Sequence, residues 1–508
     1  MYMLYIKYRN ILDKIKSLFK DQSYYISKRL HDYRHDYEYE IDDMTFDDLM
    51  LSEFCEKFNH TVTSCGDEVF YHWLRSIKDG ATIKTLQNDL ESIKKNKDTD
   101  LIIRIFSKIG KQKRGNVISD IWEGFTIKSK LIDNFYILFI INVLISVSIS
   151  IINVKFISLS IIFFCFFNFI IYILTNAKIS RVSGSINYIL ILCRALKKIE
   201  RKTNLQLSIE MPNYKKFNRL DRYVLFFKDG IGGPESGDLF SLFIDYLRLF
   251  LCFEIYAFKR TSKFVMENLE EVHKIVYFIG YLDCLINSKK IMDEYKTVYS
   301  QIDSQKGISF NEMIHPLLPN SVSQTKDIRQ GLIITGLNMS GKTTFMKSLA
   351  INQLLATSFG FCFAKSYHTN VLNIISSFRI NDDMLHGKSR YYAEAYRLLE
   401  INNQVKTKNT LCLVDEILSG TNSDDRIYGA TVILKNFSSS KNSIVVAATH
   451  DNKIAESLSD ILSAVYFDGE ISEDQINFDY IIKDGIVSKR NGLLILKLIG
   501  LQKIEEIV

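Results

Sequence analysis

The chain has 508 residues, with 64 basic and 58 acidic residues and a formal net charge of +6. This length is enough for about three domains of ordinary size, each with a buried core. So small a net charge does not by itself favour nucleic acid as a ligand. The eight cysteines are scattered and form no C-x-x-C pair, which favours buried thiols in a reducing compartment over disulfides or a zinc site.

Residues 1–44 are rich in Tyr, Lys and Asp and predict a basic amphipathic helix followed by a charged connector. Such a helix is either a solvated surface helix or one that lies on a membrane. No long apolar segment precedes a small-residue cleavage site, so no signal peptide is expected. Residues 45–130 carry apolar residues mostly at helical spacing and predict the first part of a helical core.

Residues 131–177 form the most apolar part of the chain. Phe135–Ile152 and residues 157–174 contain no charged residue, and Lys155 is the one charge between them. Each stretch would extend ~27 Å as a helix, close to the thickness of a hydrocarbon core. The sequence therefore predicts a hairpin of two short transmembrane helices over residues 135–174. The alternative is a hairpin buried in a soluble or dimeric core.

The charges around this hairpin predict its orientation. Lys128, Lys130, Lys178 and Arg181 flank its outer ends, whereas the turn holds only Lys155. Basic residues are enriched on the cytoplasmic side of membrane helices. We therefore expect a protein of the cytoplasmic membrane with two spans and with both termini in the cytoplasm.

The remaining chain changes its pattern once. Residues 178–310 return to helical spacing and predict a second part of the helical core, whose long helices could act as levers. In residues 311–508 apolar strands alternate with helical segments, which is typical of a parallel sheet with crossover helices. The predicted fold class is thus a helical region with an inserted hairpin, followed by an α/β nucleotide domain with a mainly parallel sheet.

This last domain contains a phosphate-binding motif. A stretch that matches G-x-x-x-x-G-K-[ST] lies between a β-prone segment and a helical one. Glycines let backbone amides close around phosphate oxygens, Lys342 supplies a cation, and Thr343 supplies a hydroxyl for Mg²⁺. The predicted ATP-binding residues are Gly336, Leu337, Asn338, Met339, Ser340, Gly341, Lys342, Thr343 and Thr344.

Two later strand ends complete the predicted site. Asp415 and Glu416 follow a buried-strand pattern, and in P-loop ATPases the first such carboxylate holds the Mg²⁺ shell while the second can polarise the attacking water. His450 ends another apolar strand and can donate a hydrogen bond to the γ-phosphate or its water. We predict Lys342, Glu416 and His450 as catalytic residues, and Thr343 and Asp415 as the Mg²⁺ site.

These motifs resemble those of the MutS family. The strings TGLNMSGKTTFMKSLA, LCLVDEILSGTNSDD and AATHD are similar, in the same order, to the family's TGPNMGGKST, DEIGRGT-type and ATH motifs. The segment from Ser389 to Glu394 is similar to the family's S-T-F-x-x-E, which completes the active site of the partner subunit. The resemblance implies an ATPase that uses ATP and Mg²⁺, a homodimer formed through the nucleotide domain, and contact of Ser389 with the nucleotide in trans.

The resemblance also has limits. Mismatch-binding members begin with a mixed α/β domain and a connector domain, and the 44 residues before the helical core are too few for either, so we expect both to be absent. DNA binding in mismatch repair is implied by the family, whereas no basic stripe with interleaved aromatic residues supports it.

Two functions therefore stay open. One is a membrane-anchored MutS-like ATPase that drives a conformational change, with mismatched or branched DNA as its ligand. The other is an ATP switch that acts on a protein or lipid partner in the membrane without DNA.

Overall fold

The computed structural model describes most of the chain between residues 36 and 486. The described residues are 30, 34, 36–112, 121–122, 130–152, 154–224, 251–303, 306–337, 340–378, 390–418, 421–440, 443–471 and 476–486. The chain divides into two compact units. Unit 1 comprises Met1–Arg34, Thr61–Phe70 and Lys95–Ile286, and unit 2 comprises His35–His60, Tyr71–Lys94 and Asn287–Val508.

Helices and strands follow in chain order. The α-helices among the described residues are α1 (Asp43–Asp48), α2 (Leu51–Phe58), α3 (Ser64–Arg75), α4 (Gly80–Lys95), α5 (Thr99–Ile109), α6 (Lys130–Asp133), α7 (Phe135–Ile152), α8 (Ile157–Lys202), α9 (Asp221–Val224), α10 (Phe253–Glu267), α11 (Leu269–Glu294), α12 (Lys342–Ser358), α13 (Arg390–Thr407), α14 (Ser423–Ser438) and α15 (Asn452–Leu458). The strands are β1 (Tyr39–Glu40), β2 (Ser76–Ile77), β3 (Val298–Tyr299), β4 (Gln301–Ile302), β5 (Ile308–Met313), β6 (Gln324–Ile328), β7 (Gly331–Gly336), β8 (Phe361–Cys362), β9 (Ser366–Thr369), β10 (Asn373–Ser377), β11 (Thr410–Asp415), β12 (Ser443–Ala448), β13 (Ser463–Phe467), β14 (Gly469–Ile471), β15 (Ile476–Phe478) and β16 (Lys483–Asp484).

Unit 1 is helical and contains the apolar hairpin. After α7 a 3₁₀ turn, Val154–Phe156, leads into α8, which continues as one helix of 46 residues. Among the described residues, Ile157–Asn176 is the one stretch that is long and apolar enough to cross a membrane, whereas the apolar part of α7, Phe135–Ile151, is too short by the same criterion. The prediction of two spans is thus supported for α8 alone, and the orientation stays a prediction.

Unit 2 is built around a six-stranded sheet with the order β10-β11-β12-β7-β13-β16. Neighbouring strands are parallel except β13 and β16. β7 and β12 are buried along their whole length, as expected for parallel strands that are covered on both faces. The predicted combination of helices with a mainly parallel sheet is confirmed.

The segment around α1 contributes to unit 2. Asp48 Oδ2 accepts hydrogen bonds from Ser376 Oγ at 2.7 Å and from the backbone N–H of Phe378 at 3.1 Å. These bonds attach α1 to the carboxyl end of β10, which neighbours β11 in the sheet. The α1 segment therefore supports the side of the sheet that is formed by the carboxyl ends of its strands, where the candidate site lies.

Candidate nucleotide-binding site

The carboxyl ends of β7 and β11 open into a cavity of about 570 Å³ in unit 2. Ligands of open α/β sheets bind at this edge, where successive strand ends present their loops. The predicted residues that line the cavity are Leu337, Gly341, Lys342, Thr343, Thr344, Asp415 and Glu416. Folding has therefore brought together two motifs that are about seventy residues apart in the sequence.

The phosphate loop has the backbone that its glycines predict. Gly336 has φ +136° and Gly341 has φ +107°. Residues with a Cβ rarely adopt these backbone angles. A Cβ on Gly336 would lie 2.5 Å from the carbonyl oxygen of Phe467. Ser340 Oγ is buried in the loop and has no hydrogen-bond partner among the described residues. Asn338 and Met339 lie outside the described residues.

Lys342 begins α12 and turns its side chain back onto the loop. Its Nζ donates to the carbonyl oxygens of Gly336 at 2.7 Å and Leu337 at 2.9 Å. The residue is 4% exposed, and this burial lowers the pKa of its ammonium group, while the charges of Asp415 and Glu416 oppose the shift. The cation is thus held inside the loop, close to both carboxylates.

Thr343 and Asp415 join the two motifs directly, because Thr343 Oγ1 donates to Asp415 Oδ2 at 2.6 Å. Among the described residues no group of three or more His, Cys, Asp or Glu side chains could hold a metal ion. A hydroxyl beside a single carboxylate nevertheless fits Mg²⁺, which is usually bound by one or two carboxylates together with substrate phosphates and water.

Glu416 and His450 lie beside each other at the ends of adjacent strands. Their Oε1 and Nδ1 atoms are 3.7 Å apart. This proximity follows from the strand order, in which β12 lies between β7 and β11. The backbone N–H of Glu416 donates to the carbonyl oxygen of Ala448 at 3.0 Å, and Thr449 N–H donates to that of Ile334 at 2.9 Å. Ser389 lies outside the described residues.

Two cavity residues, Gln324 and Tyr480, were not singled out by the sequence. Gln324 Nε2 donates to the backbone oxygen of Tyr480, and Gln324 Oε1 accepts from the backbone N–H of Ile482 at 3.0 Å. These bonds hold Tyr480 at the cavity, close to Gly341. No motif marks either residue, because the contact joins segments more than 150 residues apart.

A third such residue is Glu394, on α13. It lies within the segment similar to S-T-F-x-x-E, but no separate role was predicted for it. The structure places its side chain on the cavity wall, 7% exposed.

His315 forms part of the cavity wall and is buried. Its Nδ1 accepts from the backbone N–H of Leu317 at 3.2 Å, which assigns this nitrogen as the acceptor of a neutral ring. Burial, together with the positive charges of Lys347 and Lys57, lowers the pKa of His315 to about 4. The imidazole is therefore neutral at pH 7.

Comparisons with known proteins find relatives of the domain that contains this site. Residues 332–507 match the family model MutS domain V. The DNA mismatch repair protein MutS of Fusobacterium nucleatum is 27% identical over 262 residues, which are 49% of this chain and 29% of that protein. The protein of the same name from Clostridium botulinum (strain Okra) is 26% identical over 266 residues, which are 49% of this chain and 28% of that protein. The match therefore spans less than a third of these relatives' length.

The parallel sheet, the phosphate loop and the carboxylates at its edge define a P-loop nucleotide-binding domain. MutS domain V matches the same residues of the chain, so this nucleotide-binding domain is similar to domain V of the MutS family.

Proposed function

We propose that this chain is a membrane-anchored ATPase of MutS type, which binds and hydrolyses ATP at a dimeric site and uses the cycle to change conformation. The proposed binding and hydrolysis of ATP depend on one observation above all. It is the hydrogen bond between Thr343 and Asp415 beside the buried Lys342. This arrangement joins a phosphate loop to a metal-binding carboxylate, which is the minimum that a P-loop ATPase needs.

The loop residues fit the phosphates of ATP. The buried hydroxyl of Ser340 can donate to a phosphate oxygen, and the ammonium of Lys342 can exchange its two loop carbonyls for phosphate oxygens. Thr343 and Asp415 would hold Mg²⁺. When bound, this ion neutralises negative charge on the β- and γ-phosphates.

Glu416 and His450 take the roles that act on the attacking water. The carboxylate of Glu416 accepts a proton from the water and orients it, and the imidazole of His450 donates a hydrogen bond to the water or to the γ-phosphate. Their separation of 3.7 Å allows both to reach one water molecule.

A patch of exposed large side chains supports the dimer. The members of this patch are Tyr391, Tyr392, Tyr396 and Leu399 on α13 and Tyr428 and Val432 on α14. Tyr428 is 75% exposed, and exposed aromatic residues are typical of protein interfaces. Because α13 follows Ser389 directly in the chain, a second copy that packs on this patch would bring Ser389 towards its nucleotide.

The hairpin of α7 and α8 has the polarity of a membrane-embedded structure. Most of its buried side chains are polar: Asn142 is 1% and Asn168 0% exposed, and Asn142 Nδ2 donates to Asn168 Oδ1 at 3.0 Å. Most of its exposed side chains are apolar, and only 17% of Ile157–Asn176 is buried. Exposed aliphatic residues with polar residues between the helices favour lipid as the surroundings of α8 over a soluble core.

The ligand beyond ATP is proposed from the relatives. They are named DNA mismatch repair proteins, so mismatched or branched DNA is the first ligand to test. The second candidate is a protein or lipid partner within the membrane, which is favoured by the apolar surface of α8.

The experiment is steady-state ATP hydrolysis by detergent-solubilised protein, with and without linear, mismatched and branched DNA, with the Glu416→Gln variant as the blank. Hydrolysis above the blank supports the ATPase, and further stimulation by mismatched or branched DNA supports a role in repair. Equal rates for protein and blank would contradict the ATPase. Turnover that is unchanged by every DNA would favour the membrane partner.

A further inference from the structure

Glu394 is a buried carboxylate that the proposed chemistry does not use. It lies on α13 and lines the cavity. Its Oε1 accepts a hydrogen bond from the backbone N–H of Leu418. Leu418 is two residues beyond Glu416, so the carboxylate binds the turn on which the proposed catalytic residue lies.

This turn has an unfavourable backbone. Glu416 has φ +53° and Leu418 has φ +57°, in a region that residues other than glycine seldom adopt because it is strained. Such a conformation persists only where neighbouring contacts fix it. Hydrogen bonds to its backbone amides do so here: Glu416 N–H donates to Ala448 O, and Leu418 N–H donates to Glu394.

The helix that carries Glu394 is itself firmly held. Arg397, one turn further along α13, is 3% exposed. Its Nε and Nη2 donate to the carbonyl oxygen of Ser376 at 2.9 and 2.8 Å, and Nη2 also donates to Thr45 Oγ1 and Asp42 Oδ1, both at 3.0 Å. A buried guanidinium with this many partners fixes the helix against β10 and the α1 segment.

We propose that Glu394 is a positioning residue for ATP hydrolysis, which fixes the turn of residues 416–418 and thereby aims the carboxylate of Glu416. The inference deepens the proposed function and depends on it. The hydrogen bond requires an acceptor oxygen at the reach of a Glu side chain, whereas it does not require a negative charge. A glutamine at this position keeps the acceptor oxygen at the same reach. An aspartate keeps the charge, but its side chain is one methylene shorter, so its oxygen lies farther from the Leu418 N–H.

The experiment compares Glu394→Gln with Glu394→Asp in steady-state hydrolysis and in binding of a fluorescent ATP analogue. For Glu394→Gln we expect kcat within about twofold of the unaltered protein, and for Glu394→Asp a kcat about tenfold lower, because displacement of a catalytic group by ~1 Å is costly. The Kd of the analogue should stay nearly constant in both, since Glu394 acts on the turn and not on the phosphates. The matched controls are Glu456→Gln and Glu456→Asp, at an exposed glutamate of α15.

The outcomes separate the two proposals. If Glu394→Asp is as active as Glu394→Gln or more active, the positioning role is overturned. A more active Glu394→Asp would indicate a role of the charge. A parallel loss of kcat and of analogue binding would equally overturn it, because that pattern indicates a general structural defect. If the unaltered protein is no faster than Glu416→Gln, the ATPase itself fails and the positioning role fails with it.

Discussion

The hydroxyl of Thr343 and the carboxylate of Asp415 form a hydrogen bond of 2.6 Å across 72 positions of the sequence. The bond connects the first turn of α12 to the carboxyl end of β11. Both groups are oxygen donors that suit Mg²⁺. This pair therefore marks the point of the domain at which the proposed binding and hydrolysis of ATP would meet.

Lys342→Ala is expected to abolish ATP binding. The variant removes a cation that is buried inside the phosphate loop, and the loss of a charge-assisted contact to phosphate weakens binding strongly. Equilibrium binding of a fluorescent ATP analogue measures the effect, with Lys435→Ala, at an exposed lysine of α14, as the control. Unchanged affinity in Lys342→Ala would place the nucleotide elsewhere.

Glu416→Gln is expected to bind ATP and to lose turnover. The amide preserves the size of the side chain but cannot accept the proton of the attacking water, and general-base catalysis typically contributes about 10²–10⁴-fold. Single-turnover hydrolysis measures the chemical step directly. Normal turnover in this variant would assign the base to another residue.

The dimer is expected to depend on the exposed patch of α13 and α14. Tyr396→Glu combined with Tyr428→Glu places two charges in the proposed interface, which costs desolvation energy on association. Sedimentation should then detect more monomer, whereas Met50→Glu, at an exposed position on another part of unit 2, should not change the assembly. An unchanged dimer would exclude this patch as the interface.

The contact of Ser389 in trans is tested by mixing subunits. Ser389→Ala is expected to lower activity only in assembled dimers. In a hybrid dimer of Ser389→Ala with Lys342→Ala, one site combines the intact phosphate loop of the first subunit with the intact Ser389 of the second, and the other site lacks both. Mixing the two variants is therefore expected to restore activity. Activity that is simply the sum of the separate variants would contradict a shared site.

The apolar hairpin is expected to retain the protein in carbonate-washed membranes. Charges introduced at two exposed positions of α8, as Ile162→Asp with Ile170→Asp, should release it, because a charge in the hydrocarbon core costs roughly 3 kcal/mol or more. Met266→Asp, at an exposed position of α10, serves as the control. Release of the unaltered protein would instead favour a soluble core.

Acid is expected to destabilise the nucleotide domain through His315. The pKa of this residue is about 4 in the fold, against about 6.5 in an unfolded chain. Its contribution to stability is therefore complete above pH 6.5 and is lost as the pH falls towards 4, by about 3 kcal/mol in all.

The measurement compares the melting of the unaltered protein with that of His315→Asn between pH 7 and pH 4.5. The asparagine oxygen can replace Nδ1 as the acceptor of the Leu317 N–H and does not titrate. As the pH falls, the melting temperature of the unaltered protein should decrease more than that of the variant. If the difference in melting temperature between the two proteins is the same at every pH, His315 is not the cause of the destabilisation by acid.

The sequence by itself determined the phosphate loop, the acidic pair after β11 and the apolar stretch, because each is a local pattern whose chemistry depends on neighbours in the chain. It could not determine the length of α8, since Lys178 and Arg181 end the apolar stretch without ending the helix. Nor could it decide the strand order. Only the tertiary structure placed β12 between β7 and β11 and so brought His450 to Glu416.

The same holds for Glu394, which lies in a segment similar to a family motif, whereas its hydrogen bond to Leu418 could not be predicted from that motif. Periodicity indicates which face of an element is buried, but not which distant element covers that face. The partners of a buried side chain are chosen by the packing of the whole domain. For this reason the residues proposed to bind phosphate could be predicted from the sequence, whereas the residues that hold the turn of Glu416 in place required the fold.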